Sequence, residues 1–334
     1  MLAVAVREES QVAEARRAAV RHARKLGFSE EDAGRVAIVA TELATNLIKH
    51  GGGGELLVSS YDDRTGVGVE CLALDKGSGI RDLDASLRDG HSTAGSAGTG
   101  LGAIVRGSHL LDIFARPGQG TAVLARMQSG RPHRAGRPAL PAVLGTINLP
   151  MPGEEACGDA WCRQAHGRGF ALMVADGLGH GPLAAAASHG AVQVFLANHE
   201  RGPATVLELM HAALQPTRGA AVAIADIDMA RGVVTYAGVG NIAGSLISGG
   251  EVKRMVSHNG TVGHAVRRVQ AFTYPFEAPP MLVMCSDGLS AQWSLDTYPG
   301  LQQRHPTLIA GVLYRDFSRG RDDVTVLVAT GEAG

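Results

Sequence analysis

Residues 169–182, GFALMVADGLGHGP, decide how the second half of this chain folds. The run 169–175 is apolar or small throughout, which is typical of a buried strand, and Asp176 ends it. A carboxylate at the end of such a strand is costly unless it is paired or binds a metal. The glycines after Asp176 indicate a tight loop, and a helix is predicted over residues 182–198. The stretch therefore predicts a strand, a loop and a helix, with a carboxylate where strand meets loop.

Three more acidic positions lie beside predicted strands. Asp159 follows Gly158, Asp287 ends the strand MLVMCSD, and Asp322 stands with Asp323 before the strand VTVLVAT. Clustered carboxylates repel one another, and hard divalent cations relieve that repulsion. Two such cations activate a water and hold a phosphoryl group. A lone Asp-Gly is usually a turn former, but four acidic positions together favour a site with two Mn²⁺ or Mg²⁺ ions.

The pattern GD, DGxGHG, SDG and DDxT resembles the SpoIIE-type branch of the PPM serine/threonine phosphatases over about residues 142–331. The resemblance implies attack by a metal-activated water on phosphoserine or phosphothreonine, without a covalent intermediate. His180 could donate a hydrogen bond to the phosphate or act as an acid, and it is equally well interpreted as a loop residue typical of this branch. Asn241 is interpreted as a structural residue of a turn. The metal ligands that the resemblance implies are Asp159, Asp176, Asp287 and Asp322, the carbonyl of Gly177, and Asp323 as the alternative to Asp322.

The first half carries a polar pair on an otherwise apolar helix. Glu42 and Asn46 are four residues apart in TELATNLIKH (41–50), so they share one helix face. An Asn oxygen can bind Mg²⁺, which commonly accompanies nucleotide phosphates. Taken alone, the pair is better explained as part of an exposed polar face.

Two glycine-rich segments follow this helix. Residues 75–80, DKGSGI, come directly after a strand, and the Asp75 carboxylate there can accept a hydrogen bond from an adenine amino group. Residues 95–102, GSAGTGLG, run into a helix whose amide groups can bind phosphate. The dipeptide Gly120-Thr121 opens the last strand of this half.

Taken in order, ExxxN, DxGxG, GxGxG and GT resemble the four boxes of the GHKL ATP-binding fold across nearly all of residues 7–127. Within it they are most similar to the switch serine kinases of partner-switching and stressosome pathways. The resemblance implies that Glu42 is the general base, Asn46 holds Mg²⁺ and Asp75 binds adenine. It further implies that Lys49 faces the phosphates and Thr121 supports the base. The nucleotide-lining residues it implies are Gly77, Gly79, Gly98, Thr99, Gly100, Leu101 and Gly102.

The predicted fold class is α+β, with an N-terminal GHKL (Bergerat) α/β sandwich and a PPM-type β-sandwich flanked by helices. The predicted domains are 1–127 and 142–334, joined by a linker at 128–141 that is rich in Pro, Gly and Arg. In the first domain, helices are predicted over 10–26, from a cap at Ser29 through Val36 to Ile48, and over 101–111, and strands over 56–61, 66–75 and 121–127. In the second, strands are predicted over 142–149, 169–175, 220–228, 233–239, 245–248, 280–285 and 324–329, with helices over 182–198 and 204–214.

Composition limits the classes of function. The formal net charge of -1 gives no field that favours nucleic acid or an acidic membrane. No apolar run is long enough for a membrane span, and the apolar run in MLAVAVREES is too short for a signal peptide. Cys157 and Cys162 lack zinc-site spacing, so the cysteines are predicted to be free thiols in a cytoplasmic protein.

These patterns predict a bifunctional regulator. Its first domain uses ATP and Mg²⁺ to phosphorylate a STAS-domain antagonist or stressosome-type protein, and its second removes that phosphate. Two alternatives stay open: a phosphatase with an ATP-sensing domain, and an anti-sigma-like binding protein. Opposed activities in one chain would consume ATP in a cycle, so we expect one of them to be gated.

Overall fold

The computed structural model describes residues 1–80, 100–129, 140–277 and 279–331. The chain forms two compact units. The first consists of Met1–Arg137 together with Leu295–Arg315, and the second of Pro138–Ser294 together with Asp316–Gly334. The domain bounds drawn from sequence stay a prediction, since a segment from late in the chain belongs to the first unit.

Three helices of the first unit come from its N-terminal sequence: α1 (Glu9–Lys25), α2 (Glu30–Lys49) and α3 (Gly100–Gly107). The predicted cap of α2 is confirmed, because the Ser29 hydroxyl accepts a hydrogen bond from the Asp32 amide at 3.0 Å. The helix predicted over 101–111 is too long. It ends at Gly107, and the last two residues of the prediction begin a strand that pairs along a neighbouring strand.

The first unit contains one antiparallel sheet of order β1-β2-β3-β5-β4. Because side chains alternate along a strand, its two faces carry different residues. Val69, Cys71 and Ala73 point into a core with α1 and α2, whereas Leu72 and Leu74 point to the other face. The strands are β1 (Leu2–Val6), β2 (Gly54–Asp63), β3 (Gly66–Leu74), β4 (Leu110–Ala115) and β5 (Thr121–Gln128).

Another helix packs on that second face. Helix α6 (Pro306–Phe317) is buried from Pro306 to Leu313, so it lacks the apolar stripe by which a half-exposed helix is recognised. This explains why the sequence patterns did not predict it. A Cβ on Gly311 would lie 2.5 Å from the Leu72 Cδ2 atom, so any larger residue here would have to displace the Leu72 side chain.

A buried ion network lies on the same face of the sheet. Arg126, 3% exposed, donates through Nε to Glu70 Oε2 at 2.7 Å and through Nη1 to Asp63 Oδ2 at 2.8 Å. Its guanidinium carbon lies 4.5 Å from the centre of the Tyr61 ring. Thr307 of α6 also donates to Glu70 Oε2, at 3.1 Å. The network satisfies charges that would otherwise be expensive to bury.

The second unit is a sandwich of two open antiparallel sheets, of orders β15-β10-β9-β8-β7 and β12-β11-β16-β17-β6. One core fills the space between the sheets, and a second lies between the first sheet and helices α4 (Pro182–Asn198) and α5 (Pro203–Ala213). The strands are β6 (Ala142–Leu149), β7 (Asp159–His166), β8 (Gly169–Gly177), β9 (Ala220–Asp228), β10 (Val233–Val239), β11 (Ala243–Ser248), β12 (Glu251–Met255), β15 (Phe272–Pro275), β16 (Met281–Cys285) and β17 (Val324–Gly331), with a separate pair β13 (Gly260–Thr261) and β14 (Ala265–Val266).

The predicted fold class is confirmed. The predicted strands at 142–149, 220–228 and 233–239 match β6, β9 and β10 residue for residue. Short or exposed strands such as β7 and β12 were not predicted, because half-buried polar residues break their alternation. None of the described helices combines the length and apolar character needed to cross a membrane.

Replacing Arg126 by Leu should weaken the sheet of the first unit, because it leaves the Glu70 carboxylate buried without its cation. Loss of one partner of a buried ion pair costs about 3–5 kcal/mol. Hydrogen exchange of the β3 and β5 amides, read by mass spectrometry, measures this loss locally.

Arg24→Leu is the matched control, since the Arg24 side chain is 61% exposed and pairs only at the surface. The double variant Glu70→Leu/Arg126→Leu should recover much of the protection. Equal exchange in Arg126→Leu and the control would contradict the role given to this network.

Candidate nucleotide and metal sites

Asp75 directly follows β3 and is held by backbone amides. It is 8% exposed, and its Oδ1 accepts hydrogen bonds from the Gly77 amide at 2.8 Å and the Thr121 amide at 3.1 Å. Burial raises the pKa of Asp75, and these two hydrogen bonds act in the opposite direction. Within the described part of the chain, Oδ2 has no hydrogen-bond partner, so it stays available to an amino group. A carboxylate fixed in this way fits an adenine ligand.

Glycines surround Asp75 because backbone lies too close for a side chain. A Cβ on Gly77 would lie 2.7 Å from the His50 carbonyl oxygen, and one on Gly120 would lie 2.1 Å from the Asp75 carbonyl oxygen. Gly79 has a φ of 70° and lies against the backbone of Arg116. The end of α2, the turn after β3 and the start of β5 are thus packed backbone to backbone.

Glu42 and Asn46 face the start of α3. A Cβ on Gly100 would lie 2.9 Å from Glu42 Oε2 and 3.7 Å from Asn46 Oδ1. The predicted general base and the predicted Mg²⁺ ligand therefore lie beside the amide groups that the resemblance assigns to phosphate. Of the other predicted nucleotide residues, Gly102 is buried, Leu101 is half-buried against the helix core, Lys49 is exposed, and Gly98 and Thr99 lie outside the described residues.

The second unit holds an open pocket at one end of its sandwich. Three aspartates from different strand ends line it: Asp176 at the end of β8, Asp287 after β16 and Asp322 before β17. Both sheets therefore contribute acidic groups to one cavity. The remaining lining residues are Leu178, Gly179, Ala221 and Asn241.

Asp159 lies directly across the strand pair from Asp176. The two are partners in the register of β7 and β8, an arrangement in which like charges destabilise the pairing. Burial raises the pKa of both carboxyl groups, and for Asp176 the charges of Asp159, Asp287 and Asp322 raise it further. A cation between the carboxylates would relieve this cost.

One oxygen of Asp159 is satisfied and the other is not. Asp159 is 2% exposed, and its Oδ2 accepts a hydrogen bond from the Ser286 hydroxyl at 2.6 Å. Its Oδ1 is buried without a partner among the described residues. An orphaned carboxylate oxygen this deep is unusual, and it fits a metal ligand. Ser286 in turn accepts from the Thr325 amide at 2.9 Å, which connects Asp159 to β17.

The structure distinguishes the adjacent aspartates 322 and 323. Asp322 lines the pocket. Asp323 is 2% exposed and accepts hydrogen bonds from the Met151 amide through Oδ1 at 2.8 Å and from the Gly158 amide through Oδ2 at 2.9 Å. Asp323 thereby fixes the segment before Asp159. Its assignment as a metal ligand stays a prediction, and Asp322 has the better placement.

The loop after Asp176 needs its glycines for two reasons. A Cβ on Gly177 would lie 2.1 Å from the Ala184 carbonyl oxygen, because the first turn of α4 packs directly on this loop. Gly179 and Gly181 have φ values of 85° and 75°, which disfavour other residues. The predicted carbonyl ligand of Gly177 thus belongs to a tightly fixed backbone.

Asn241 belongs to this pocket, which the sequence interpretation missed. Its Nδ2 donates to Asp287 Oδ2 at 2.7 Å, so it orients a predicted ligand in addition to forming a turn. Its position directly after Gly240, at the same end of the sheet as Asp176, was the feature of the sequence that could have indicated a place in the pocket. His180 instead pairs through Nδ1 with Glu154 Oε1 at 2.6 Å, and it is not among the pocket-lining residues.

The donor set fits hard divalent cations. All the acidic lining groups are oxygen ligands, which Mg²⁺ and Mn²⁺ prefer. Among the described residues, no three His, Cys, Asp or Glu side chains are already closed around a single point. The carboxylates therefore share a pocket without forming a preset cage. Zinc is disfavoured, because Cys157 is a free thiol whose pKa burial raises to about 12.

Comparisons with known proteins match each half separately. The family described as Histidine kinase-like ATPase domain matches residues 5–127, and the family described as Stage II sporulation protein E (SpoIIE) matches residues 166–331. Serine/threonine-protein kinase RsbT of Bacillus subtilis (strain 168) is 31% identical over 122 residues, covering 36% of this chain and 92% of RsbT.

Phosphoserine phosphatase RsbX of the same organism is 28% identical over 140 residues, covering 41% of this chain and 70% of RsbX. A solved structure described under "The bacterial stressosome: a modular system that has been adapted to control secondary messenger signaling" superposes with a TM-score of 0.53 at 26% identity. That match covers 56% of this chain and 98% of the other.

Replacing Asp176 by Asn should stabilise the metal-free second unit, because it removes a carboxylate that faces Asp159. The expected gain is roughly 1 kcal/mol, the size of a cross-strand charge pair. Mn²⁺ at a hundred times its dissociation constant should stabilise the unaltered protein by about 2.7 kcal/mol and should not stabilise the variant. Urea unfolding followed by the fluorescence of Trp161 and Trp293, which both belong to the second unit, measures both effects.

Glu208→Gln is the control, since it removes an exposed carboxylate from α5 in the same unit. It should leave both stabilities unchanged. Full stabilisation of the Asp176→Asn variant by Mn²⁺ would remove Asp176 from the ligand set.

Proposed function

We propose that this chain, which belongs to the histidine kinase-like ATPase family in its N-terminal half and to the SpoIIE family in its C-terminal half, is a bifunctional partner-switching regulator. The first unit phosphorylates a serine or threonine of a STAS-domain antagonist or stressosome-type protein, and the second removes such a phosphate. The setting is cytoplasmic. The observation that carries the proposal is the facing pair Asp159 and Asp176 at a pocket lined by two further aspartates.

The phosphatase reaction assigns roles to the residues of that pocket. Asp159, Asp176, Asp287 and Asp322 hold two Mn²⁺ or Mg²⁺ ions with the carbonyl of Gly177. When bound, such ions lower the pKa of a water and neutralise the charge on a phosphoryl group. The hydroxyl of Ser286 fixes Asp159, and the amide of Asn241 fixes Asp287. These contacts orient the ligands, as supporting hydrogen bonds do in other metal sites.

The kinase reaction assigns roles around α2. Asp75 accepts a hydrogen bond from adenine, and Asn46 holds the Mg²⁺ that accompanies the phosphates of ATP. Glu42 accepts the proton of the substrate hydroxyl as it attacks the terminal phosphate. The backbone amides of Gly98, Thr99, Gly100, Leu101 and Gly102 bind the phosphates, with Lys49 nearby, while Gly77, Gly79 and Thr121 shape the site around the base.

Single substitutions should separate the two activities. Glu42→Gln should lower transfer of labelled phosphate to a STAS-domain protein by at least about 100-fold, the usual contribution of a general base, while ATP still binds. Asn46→Asp should abolish nucleotide binding and transfer together.

Asp176→Asn should abolish release of phosphate from the phosphorylated partner and leave transfer intact.

Glu31→Gln, an exposed carboxylate in the first turn of α2, is the control for Glu42. Stable binding of the partner without transfer, unaffected by Asn46→Asp, would replace the kinase role with an anti-sigma-like binding role. Full rates of both activities together, at every nucleotide ratio, would overturn the gating.

A second candidate function, an ATP sensor that controls the phosphatase, is favoured by the path of the chain. The segment Leu295–Arg315 belongs to the N-terminal unit, yet it lies in sequence between the predicted metal ligands Asp287 and Asp322. The chain just before this segment is hydrogen-bonded to the chain just after it. The Arg319 amide donates to the Gly288 carbonyl and the Ser290 amide donates to the Phe317 carbonyl, each at 2.9 Å.

This segment also reaches the nucleotide residues of the first unit. Arg315 Nη1 donates to the backbone carbonyl of Asp75 at 2.9 Å, and the His305 amide donates to Asp112 Oδ2 at 2.7 Å. A change at Asp75 on ATP binding would therefore reach α6 through one hydrogen bond. This helix ends at Phe317, and Asp322 follows Arg315 by seven residues in the chain. We infer that nucleotide occupancy shifts the placement of Asp322 and so the phosphatase rate.

Replacing Arg315 by Met should uncouple the two sites, because it removes the hydrogen bond to Asp75 and keeps the apolar stem. Phosphatase activity of the variant should no longer respond to ADP or ATP, with nucleotide affinity changed by less than about threefold, since the rate effect needs the coupling and binding does not. Rates measured with and without each nucleotide give the result. Arg24→Met is the surface control, and an unchanged nucleotide response in Arg315→Met would exclude this route.

A further inference from the structure

The loop at residues 215–219 is fixed beside the phosphatase pocket. Thr217 Oγ1 donates to the Leu214 carbonyl at 2.7 Å and accepts from the Gly219 amide at 3.0 Å. The Gly219 carbonyl in turn accepts from the amide of Leu178, a pocket-lining residue, at 3.0 Å. His264 contacts the Thr217 carbonyl through Nε2 at 3.0 Å. The loop is therefore fixed against the turn at Leu178 and Gly179 that lines the pocket.

Arg218 projects from this loop over the glycine turn of the pocket. Its Nη1 lies 3.1 Å from the position that a Cβ on Gly179 would occupy, so the guanidinium rests on the backbone of a lining residue. Arg218 is exposed, and in the part of the chain that the structure describes it makes no hydrogen bond or ion pair. A cation with unused donors thus lies beside Gly179, one of the residues that line the acidic pocket.

The pocket needs such a cation to bind its substrate. Its charged lining residues are the carboxylates Asp176, Asp287 and Asp322, with Asp159 directly behind Asp176. When ionised, these four charges would balance two divalent cations without any excess of positive charge. A phosphomonoester carries close to two negative charges at neutral pH, and these need a further positive group. A guanidinium, with its planar fork of N–H donors, matches phosphate oxygens in pairs.

We propose that Arg218 is the residue of the second unit that binds the phosphate of the substrate phosphoserine or phosphothreonine at the pocket mouth. This rests on the phosphatase part of the proposed function. The side chain acts on the substrate before the reaction, and it contributes equally to the bound ground state and to the transition state. Its loss therefore raises KM and leaves kcat nearly unchanged.

Arg218→Gln tests the proposal with p-nitrophenyl phosphate as substrate, inorganic phosphate as inhibitor and Mn²⁺ in the buffer. We expect KM and the inhibition constant of phosphate to rise together by about tenfold, the loss of one charge-assisted pair, with kcat within about twofold. Arg218→Lys should recover part of the effect, because it keeps the charge and loses the fork.

Arg201→Gln is the matched control. Arg201 is an exposed arginine beyond the C-terminal end of α4, whereas Gly179 precedes the N-terminal end of that helix. A helix of 17 residues is about 25 Å long, so Arg201 is far from the pocket. The control should leave KM and phosphate inhibition unchanged. Equal values for Arg218→Gln and Arg201→Gln would overturn the proposal.

Calorimetric titration of inorganic phosphate into the Mn²⁺-loaded protein separates this proposal from the proposed function. Weaker phosphate binding by Arg218→Gln, in a protein that hydrolyses no phosphomonoester, would support the binding role of Arg218 and overturn the phosphatase. If the protein hydrolyses phosphomonoesters but its phosphate affinity does not depend on Arg218, the phosphatase is supported and the binding role of Arg218 is overturned. Absence of phosphate binding by the unaltered protein would overturn the role of Arg218.

Discussion

The opposition of Asp159 and Asp176 across β7 and β8 is the constraint on which the second unit depends. Strand pairing forces the two carboxylates together, and the apolar strands behind them exclude water, so both resist ionisation. Hydrogen bonds from neighbouring residues keep Asp159 in this position. Ser286 holds one oxygen of Asp159, and Asp323 holds the preceding segment by two backbone amides. Stability is given up locally to keep a site ready for cations.

The first unit solves a different problem, which is to fix a single carboxylate next to a flat ligand. Three segments meet at Asp75 with so little space that Gly77 and Gly120 cannot carry side chains. Backbone amides then orient one oxygen, and the proposed contact with adenine uses the other. On the far face of the same sheet, Arg126 and Glu70 are buried together with Thr307 of α6. The sheet is thus anchored on both faces, which keeps the nucleotide residues in place.

Two opposed activities in one chain require a connection between them. In the regulation proposed above, the segment Leu295–Arg315 would supply this connection, because it carries the chain from the neighbourhood of Asp287 into the N-terminal unit and back to Asp322. Coupling of this kind is reciprocal in binding free energy. Ligands of the phosphatase pocket are therefore expected to alter nucleotide affinity as much as nucleotide alters theirs.

Sequence by itself determined the two-part organisation, the fold class and the pocket aspartates 176, 287 and 322. These follow from strongly apolar strands that end in carboxylates and from glycines at positions where backbone needs them, which are local properties. Only the tertiary structure distinguished Asp322 from Asp323, placed Asn241 on Asp287, and set Arg218 over Gly179. It also placed α6, which is buried around its circumference and has no amphipathic signal, on the sheet of the N-terminal unit. Each of these depends on contacts between residues distant in sequence, and no local pattern encodes such contacts.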